Sequence, residues 1–224
     1  MDQHQCYFKS ALFSDVSGQE IDLLAKASRR LKIVKGDTVF MQGDPASSIF
    51  ILHEGTIKIS RVNTDGRKLT IDLIEPGQFF GELCLAGEKE RRSFAEAMAD
   101  SSFCELDKDH LKEFMHKRPD FALKLIKHMG NRRLAMENLL ENMAFMDVAT
   151  RVVALLMKYA VKSIVKVPLT HQEIADLTGS TRVSVSRCIA KLRNDGLIET
   201  AGERIRLADK LALADHMEYS ASYS

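Results

Sequence analysis

The chain has 224 residues, 45% of them apolar, with 32 Lys and Arg against 31 Asp and Glu for a net charge of +1. That length suits two compact domains, and the near-neutral balance excludes a globally basic nucleic-acid binder, so any DNA contact must come from a local patch. No run approaches the roughly 18 apolar residues of a membrane span, and the start MDQHQCYFKS lacks secretory features, which predicts a cytoplasmic protein.

The first predicted element is a helix over residues 17–29. From Leu31 to Leu106 short alternating strands follow, the clearest at 49–52, 57–62 and 69–74, separated by turns such as Gly43-Asp44-Pro45, Glu54-Gly55 and Pro76-Gly77. Such spacing predicts an antiparallel jelly roll or β-barrel able to hold one small ligand. Within it, Gly81-Glu82-Leu83 is followed after eight residues by Arg92-Ser93. A glycine permits close backbone approach, a carboxylate accepts from a vicinal hydroxyl, and an Arg-Ser pair holds a phosphate by a charge-assisted bond plus a hydroxyl donor. These residues describe a sugar-phosphate cradle; an ion pair between Glu82 and Arg92 across two strands is the structural alternative.

The four cysteines, Cys6, Cys84, Cys104 and Cys188, have neither CxxC nor metal-ligand spacing, so no disulfide framework, zinc site or other metal site is expected. The seven histidines are dispersed, and none is assigned a metal or haem. No nucleophile–base–orienter set accompanies Glu82 and Arg92, which leaves a phosphodiester-processing enzyme as a remote reading and predicts no catalytic residues.

A helix at 109–116 leads out of the barrel. Residues 119–146 contain one glycine, Gly130, and no proline after the first position, which predicts one long helix. Ile126, Met129, Arg133, Met136, Leu140 and Met143 fall at alternating spacings of three and four, the pattern of a coiled-coil seam and hence of a homodimer; a helix packed on its own domain is the alternative. Arg133 interrupts the apolar row, where a charge can report ligand occupancy. A hinge is placed at Phe145-Met146-Asp147, and a further helix at 148–159.

Residues 170–198 read as a helix-turn-helix. Thr170 with Glu173 forms a capping box, Ile174 and Leu177 bury the first helix's inner face, Gly179 supplies the turn, and Ser180 or Thr181 caps the second helix. Val185, Ile189 and Leu192 recur on the buried side of that helix. Its outer face carries Thr181, Arg182, Val183, Ser184, Ser186 and Arg187, with Thr170 and His171 entering beside it. Arginines there suit bidentate contact with guanine, hydroxyls suit phosphates or base edges, and Val183 suits a thymine methyl. Beyond Gly196, alternation at 197–200 and 203–207 around Ala201-Gly202 predicts a wing, with Arg204 and Arg206 near phosphates and Glu203 opposing them at the tip.

The GEL-x8-RS spacing of Gly81-Glu82-Leu83 and Arg92-Ser93, followed by a winged helix-turn-helix, resembles the catabolite activator protein/Fnr superfamily of bacterial transcription regulators. The resemblance implies an effector-sensing barrel of the cyclic-nucleotide-binding kind over 1–118, a dimerisation helix and hinge over 119–146, and a DNA-binding domain over 147–224. It implies that Glu82 binds a ribose hydroxyl, Arg92 and Ser93 the cyclic phosphate, and Gly81, Leu83 and Cys84 the pocket wall, with cyclic AMP as effector. It also implies a palindromic double-stranded operator and RNA polymerase as partners. Phe94 and Met136 depart from the cyclic-AMP pattern, leaving Glu137 or Asn138 to meet a base. An effector-independent, redox-responsive or gas-responsive regulator of the same fold remains an alternative.

Overall fold

The structure, a computed structural model, describes residue 7 and residues 9–165, 167–202 and 204–214; the expected wing-tip Glu203 lies outside the described residues. The chain divides into two compact units, one running to Arg132 and one from Arg133 onward, with Lys68–Thr70 grouped with the second.

The first helix, α1 (Gly18–Lys26), opens on a capping box in which Ser17 and Glu20 satisfy each other's backbone N–H groups. It stops short of the expected residue 29. The next residues form β1 (Ser28–Ile33), paired with β8 (Ser101–Asp107) from Ser28↔Leu106 to Ile33↔Ser101. Six consecutive cross-strand pairs outweigh local helix propensity here.

Between them lie β2 (Thr38–Phe40), β3 (Ser48–Glu54), β4 (Ile57–Val62), β5 (Lys68–Ile74), β6 (Phe79–Phe80) and β7 (Phe94–Ala97). They form two four-stranded sheets, β1-β8-β3-β6 and β2-β7-β4-β5, the antiparallel roll that the strand spacing predicts. The sheets enclose a core of Phe40, Phe50, Leu52, Ile57, Ile59, Ile74, Phe80, Ala95, Ala97 and Phe103. Its centre is aromatic: Phe50 stacks on Phe80 at 5.0 Å between ring centroids, and Phe103 meets Phe80 edge-on at 5.9 Å. Tyr7, Phe13, Ile21, Phe79, Leu106 and Phe121 build a second cluster outside the first.

Helix α2 (Lys108–Lys117) leads into the long α3 (Pro119–Phe145). Only Phe121 and Leu125 of α3 are fully buried, while Leu123, Ile126, Leu134, Met136 and Leu140 are exposed. Cys104 is disulfide-bonded, against the expectation of no disulfide framework; Cys84 and Cys188 are free thiols.

In the second unit, Asp147 caps α4 (Val148–Lys158) by accepting from the Thr150 N–H at 2.8 Å. Helices α5 (His171–Thr178) and α6 (Arg182–Asn194) form the helix-turn-helix. The wing is β11 (Ile198–Ala201) with β12 (Arg204–Leu207), and a second hairpin, β9 (Ala160–Val161) with β10 (Ile164–Val165), extends its sheet to the order β11-β12-β10-β9. The sequence does not announce this second hairpin. Its turn residues Lys162 and Ser163 adopt left-handed φ of 49° and 68° without the Asn or Gly that normally marks such a turn.

Candidate effector pocket and nucleic-acid interface

The DNA-binding face is built from the turn outward. Thr170 and Glu173 close the expected capping box: the Glu173 carboxylate accepts from the Thr170 N–H at 2.7 Å, and the Thr170 hydroxyl accepts from the Glu173 N–H at 3.2 Å. Ile174, Ala175 and Leu177 are buried, and Gly179 takes a left-handed φ of 60° where a Cβ would come within 2.9 Å of Met143 Cε. Thr181, rather than Ser180, caps α6 by accepting from the Ser184 N–H.

Val185, Ile189 and Leu192 then anchor α6. This orientation leaves Thr181, Arg182, Val183 and Arg187 exposed along its N-terminal half. Ser184 and Ser186 are half-buried instead. The Ser184 hydroxyl lies 3.0 Å from that of Thr181, and Ser186 is hydrogen-bonded to His171 Nδ1 at 2.8 Å. The expected base or phosphate donors therefore separate into two classes: Arg182 and Arg187 are free of ion pairs among the described residues, whereas Thr170, His171 and the serines are engaged within the domain. On the wing, both Arg204 and Arg206 are exposed; Arg206 makes a two-pronged ion pair with Glu199, whereas Arg204 has no ion pair among the described residues.

In the sensor unit, Gly81 adopts a φ of 77° and leads into a short 3-10 helix, Glu82–Ala86. Glu82 is 7% exposed. Its carboxylate is occupied by Arg132 of α3, which donates to Glu82 Oε1, to Asp72 Oδ2 and to the Phe79 carbonyl at 2.7, 2.7 and 3.1 Å. One guanidinium thus spans two carboxylates and a backbone oxygen, a use of its planar fork that lysine cannot reproduce. His128, one turn earlier, is half-buried with Nε2 unpartnered, and burial followed by the Arg132 charge lowers its pKa. Burial likewise raises the Cys84 thiol, an effect that Arg91 partly opposes, and pushes Cys188 up to about 11, so neither is a ready thiolate.

The arginine pair divides differently from the motif spacing. Arg92 is exposed, and its backbone N–H donates to Glu88 Oε1 at 3.2 Å. The residue turned inward is Arg91, which shares its parity with the buried Ala95 and Ala97 and is held by backbone bonds to Gly43 and Asp44. Leu83 is exposed, whereas Ser93 and Phe94 are half-buried. Arg133 and Glu137, expected beside the ligand, pair with each other along α3 at 2.9 Å. The sequence pattern does not single out Arg132, Asp72 or Arg91. The double runs Arg91-Arg92 and Arg132-Arg133 offer two candidates each, and spacing alone does not say which member turns inward.

Along α3, Ile126 and Leu140 are each 64% exposed and Met136 is exposed, while Met129 and Met143 are half-buried. Met143 reaches the Gly179 turn of its own chain, so it is partly spent on intramolecular packing. Leu123 and Leu134 extend the exposed apolar face beyond the expected seam.

Comparison with known proteins matches residues 30–118 to the cyclic nucleotide-binding domain family and residues 150–216 to the Crp-like helix-turn-helix domain family. The chain is 28% identical over 214 residues to a CRP-like cAMP-activated global transcriptional regulator of Mycobacterium tuberculosis, covering 92% of this chain and 96% of that protein. It is 30% identical over 190 residues to the global nitrogen regulator of Synechococcus elongatus, covering 80% and 86%. The solved structure of FixK2 from Bradyrhizobium japonicum superposes with a TM-score of 0.77 at 22% identity, covering 84% and 96%, and shares the fold.

Proposed function

This chain belongs to the Crp/Fnr superfamily of transcription regulators, and from that premise we propose that it binds a palindromic DNA operator as a homodimer under the control of a small phosphate-bearing effector, a cyclic nucleotide. The family has a regulator's output and no catalytic one. RNA polymerase is the partner through which bound regulator acts on transcription.

The observation that carries DNA binding is the pair Arg182 and Arg187, exposed and, among the described residues, free of ion pairs on the outward side of a helix fixed by three buried residues and a capped turn. Cations in this state lose no existing partner when they meet phosphate or guanine. Replacing Arg182 with Ala should weaken operator binding by roughly 1–3 kcal/mol and relax one position of the site in a gel-shift titration. Undiminished affinity removes Arg182 from the reading face.

Dimerisation is supported by the exposed apolar row Leu123, Ile126, Met136 and Leu140, which has no partner within its own helix. Met136→Asp with Leu140→Asp should sediment as a monomer; a persistent dimer assigns the pairing to another surface. A two-fold protein then reads half-sites about one helical turn apart.

For the effector, calorimetry with cyclic AMP and cyclic GMP, with operator affinity measured in parallel, is the direct test. A second reading, an effector-independent regulator, is favoured by the engagement of Glu82 Oε1 by Arg132. Operator affinity that ignores both nucleotides, together with no heat of binding, selects it.

A further inference from the structure

We propose that Arg91, not Arg92, is the side chain that takes the anionic group of the sensor domain's ligand, and that this group is a phosphate ester or free phosphate. The inference deepens the effector reading above and rests on it for the identity of the nucleotide, but not for the existence of the anion site.

Arg91 is 3% exposed, yet among the described residues its side chain donates only to two backbone carbonyls, Gly81 O at 2.8 Å and Ser48 O, and its buried Nε meets no partner. Among the described residues no carboxylate pairs with it. A buried guanidinium is ordinarily compensated by an anion, as Arg132 is by Glu82 and Asp72. Arg91 has instead the faces of Phe40 and Phe50, at 4.5 and 5.6 Å from their centroids, which stabilise a cation without neutralising it.

Its position is also one that the backbone reserves. A Cβ on Gly81 would lie 3.0 Å from Arg91 Nη1, so the glycine leaves the volume into which the guanidinium projects. Arg91 lines an open groove of about 550 Å³ with Gln42, Gly43, Gly87, Glu88 and Arg92, which gives a ligand access. Arg92 is the poorer holder of an anion. It is solvated, and Glu88 and Glu90 line the same groove, so its field is largely balanced and screened. A phosphate reaching Arg91 would exchange the two neutral carbonyl acceptors for anionic oxygens and use the Nε that is now unpaired.

The test uses the full-length protein, with inorganic phosphate, cyclic AMP and cyclic GMP as probes in calorimetry and thermal-shift titrations at matched ionic strength. Arg92→Ala should bind within about twofold of wild type, whereas Arg91→Gln and Arg91→Lys should weaken binding roughly 10- to 100-fold, because both remove the forked donor. Loss of binding in Arg92→Ala with its fold intact overturns the proposal, even if the Arg91 variants do not fold. So does unchanged binding in folded Arg91→Gln, or a wild type that binds none of the probes. Arg91-dependent binding of phosphate without binding of either nucleotide upholds the anion site while removing the cyclic-nucleotide effector.

Discussion

A pair of arginines in the DNA-binding unit and a pair in the sensor are treated in opposite ways. Arg182 and Arg187 lie in water on α6, free of ion pairs among the described residues, while Arg91 and Arg132 are drawn into the sensor, one held by carbonyls and rings and the other by two carboxylates. A solvated cation costs little to display and stays available to any phosphate that approaches. A desolvated one must be compensated, so its partners are part of the fold. The reading face is thus preset by helix packing, whereas any change in the sensor requires an exchange of partners at Glu82, Asp72 or Gly81.

The sharpest way to break this contrast is to remove one cation from each unit. Arg132→Leu leaves Glu82 buried beside Asp72 without its counter-charge, and because Arg132 keeps some solvent access the expected cost is about 2–4 kcal/mol in urea denaturation. Glu82→Gln in the same background should return part of it. Arg187→Leu should change stability by less than about 0.5 kcal/mol while weakening operator binding. Equal stabilities for wild type and Arg132→Leu would mean that the sensor cluster is incidental.

A smaller difference separates the two glycines on which the sites turn. Gly81 and Gly179 both have positive φ, so either alanine variant carries backbone strain of about 1–2 kcal/mol. At Gly81 the new methyl also meets the Phe50 ring at 3.1 Å within a stacked aromatic core, whereas at Gly179 it meets the tip of Met143, which can swing aside. Gly81→Ala should therefore lower the denaturation midpoint more than Gly179→Ala; the reverse order would show that the Phe50 stack yields more readily than the methionine.

Legibility divides along the same line. The helix-turn-helix was readable because its signals are local: the Thr170 box, the Gly179 turn and the Val185 anchor each act within one turn of chain, and Arg182 faces out once they are fixed. The barrel strands were readable from alternation and turns. What the sequence does not carry is which of two adjacent arginines faces inward, since both precede β7 and Arg91 is fixed by backbone bonds to the distant Gly43 and Asp44. Arg132's partners, 50 and 60 residues away, are equally invisible to spacing. The early end of α1 follows from a strand partner in β8, which helix propensity cannot register.

The smallest expected effect concerns an ion pair whose arginine, Arg118, is as exposed as Arg132 but whose carboxylate, unlike Glu82, keeps its solvent access. Glu20 accepts from the Ser17 hydroxyl and backbone at the start of α1 and from Arg118 Nη1, and these bonds, Ser17 first, lower its pKa from 4.5 to about 2. Asp120 is lowered to about 2 by the same arginine. Each carboxylate titrates lower folded than unfolded, so its stabilisation is whole above the ordinary carboxylate range and declines as pH falls from about 4.5 towards 2. Both groups are partly solvent-exposed, which keeps the effect modest and sensitive to salt. The expected outcome is a small stability gap between wild type and Glu20→Gln at pH 7 that narrows below pH 4 and shrinks in 1 M salt. A gap that persists at pH 2 would assign the role of Glu20 to packing or to the neutral capping bond, and would place this contact with the buried sensor cluster.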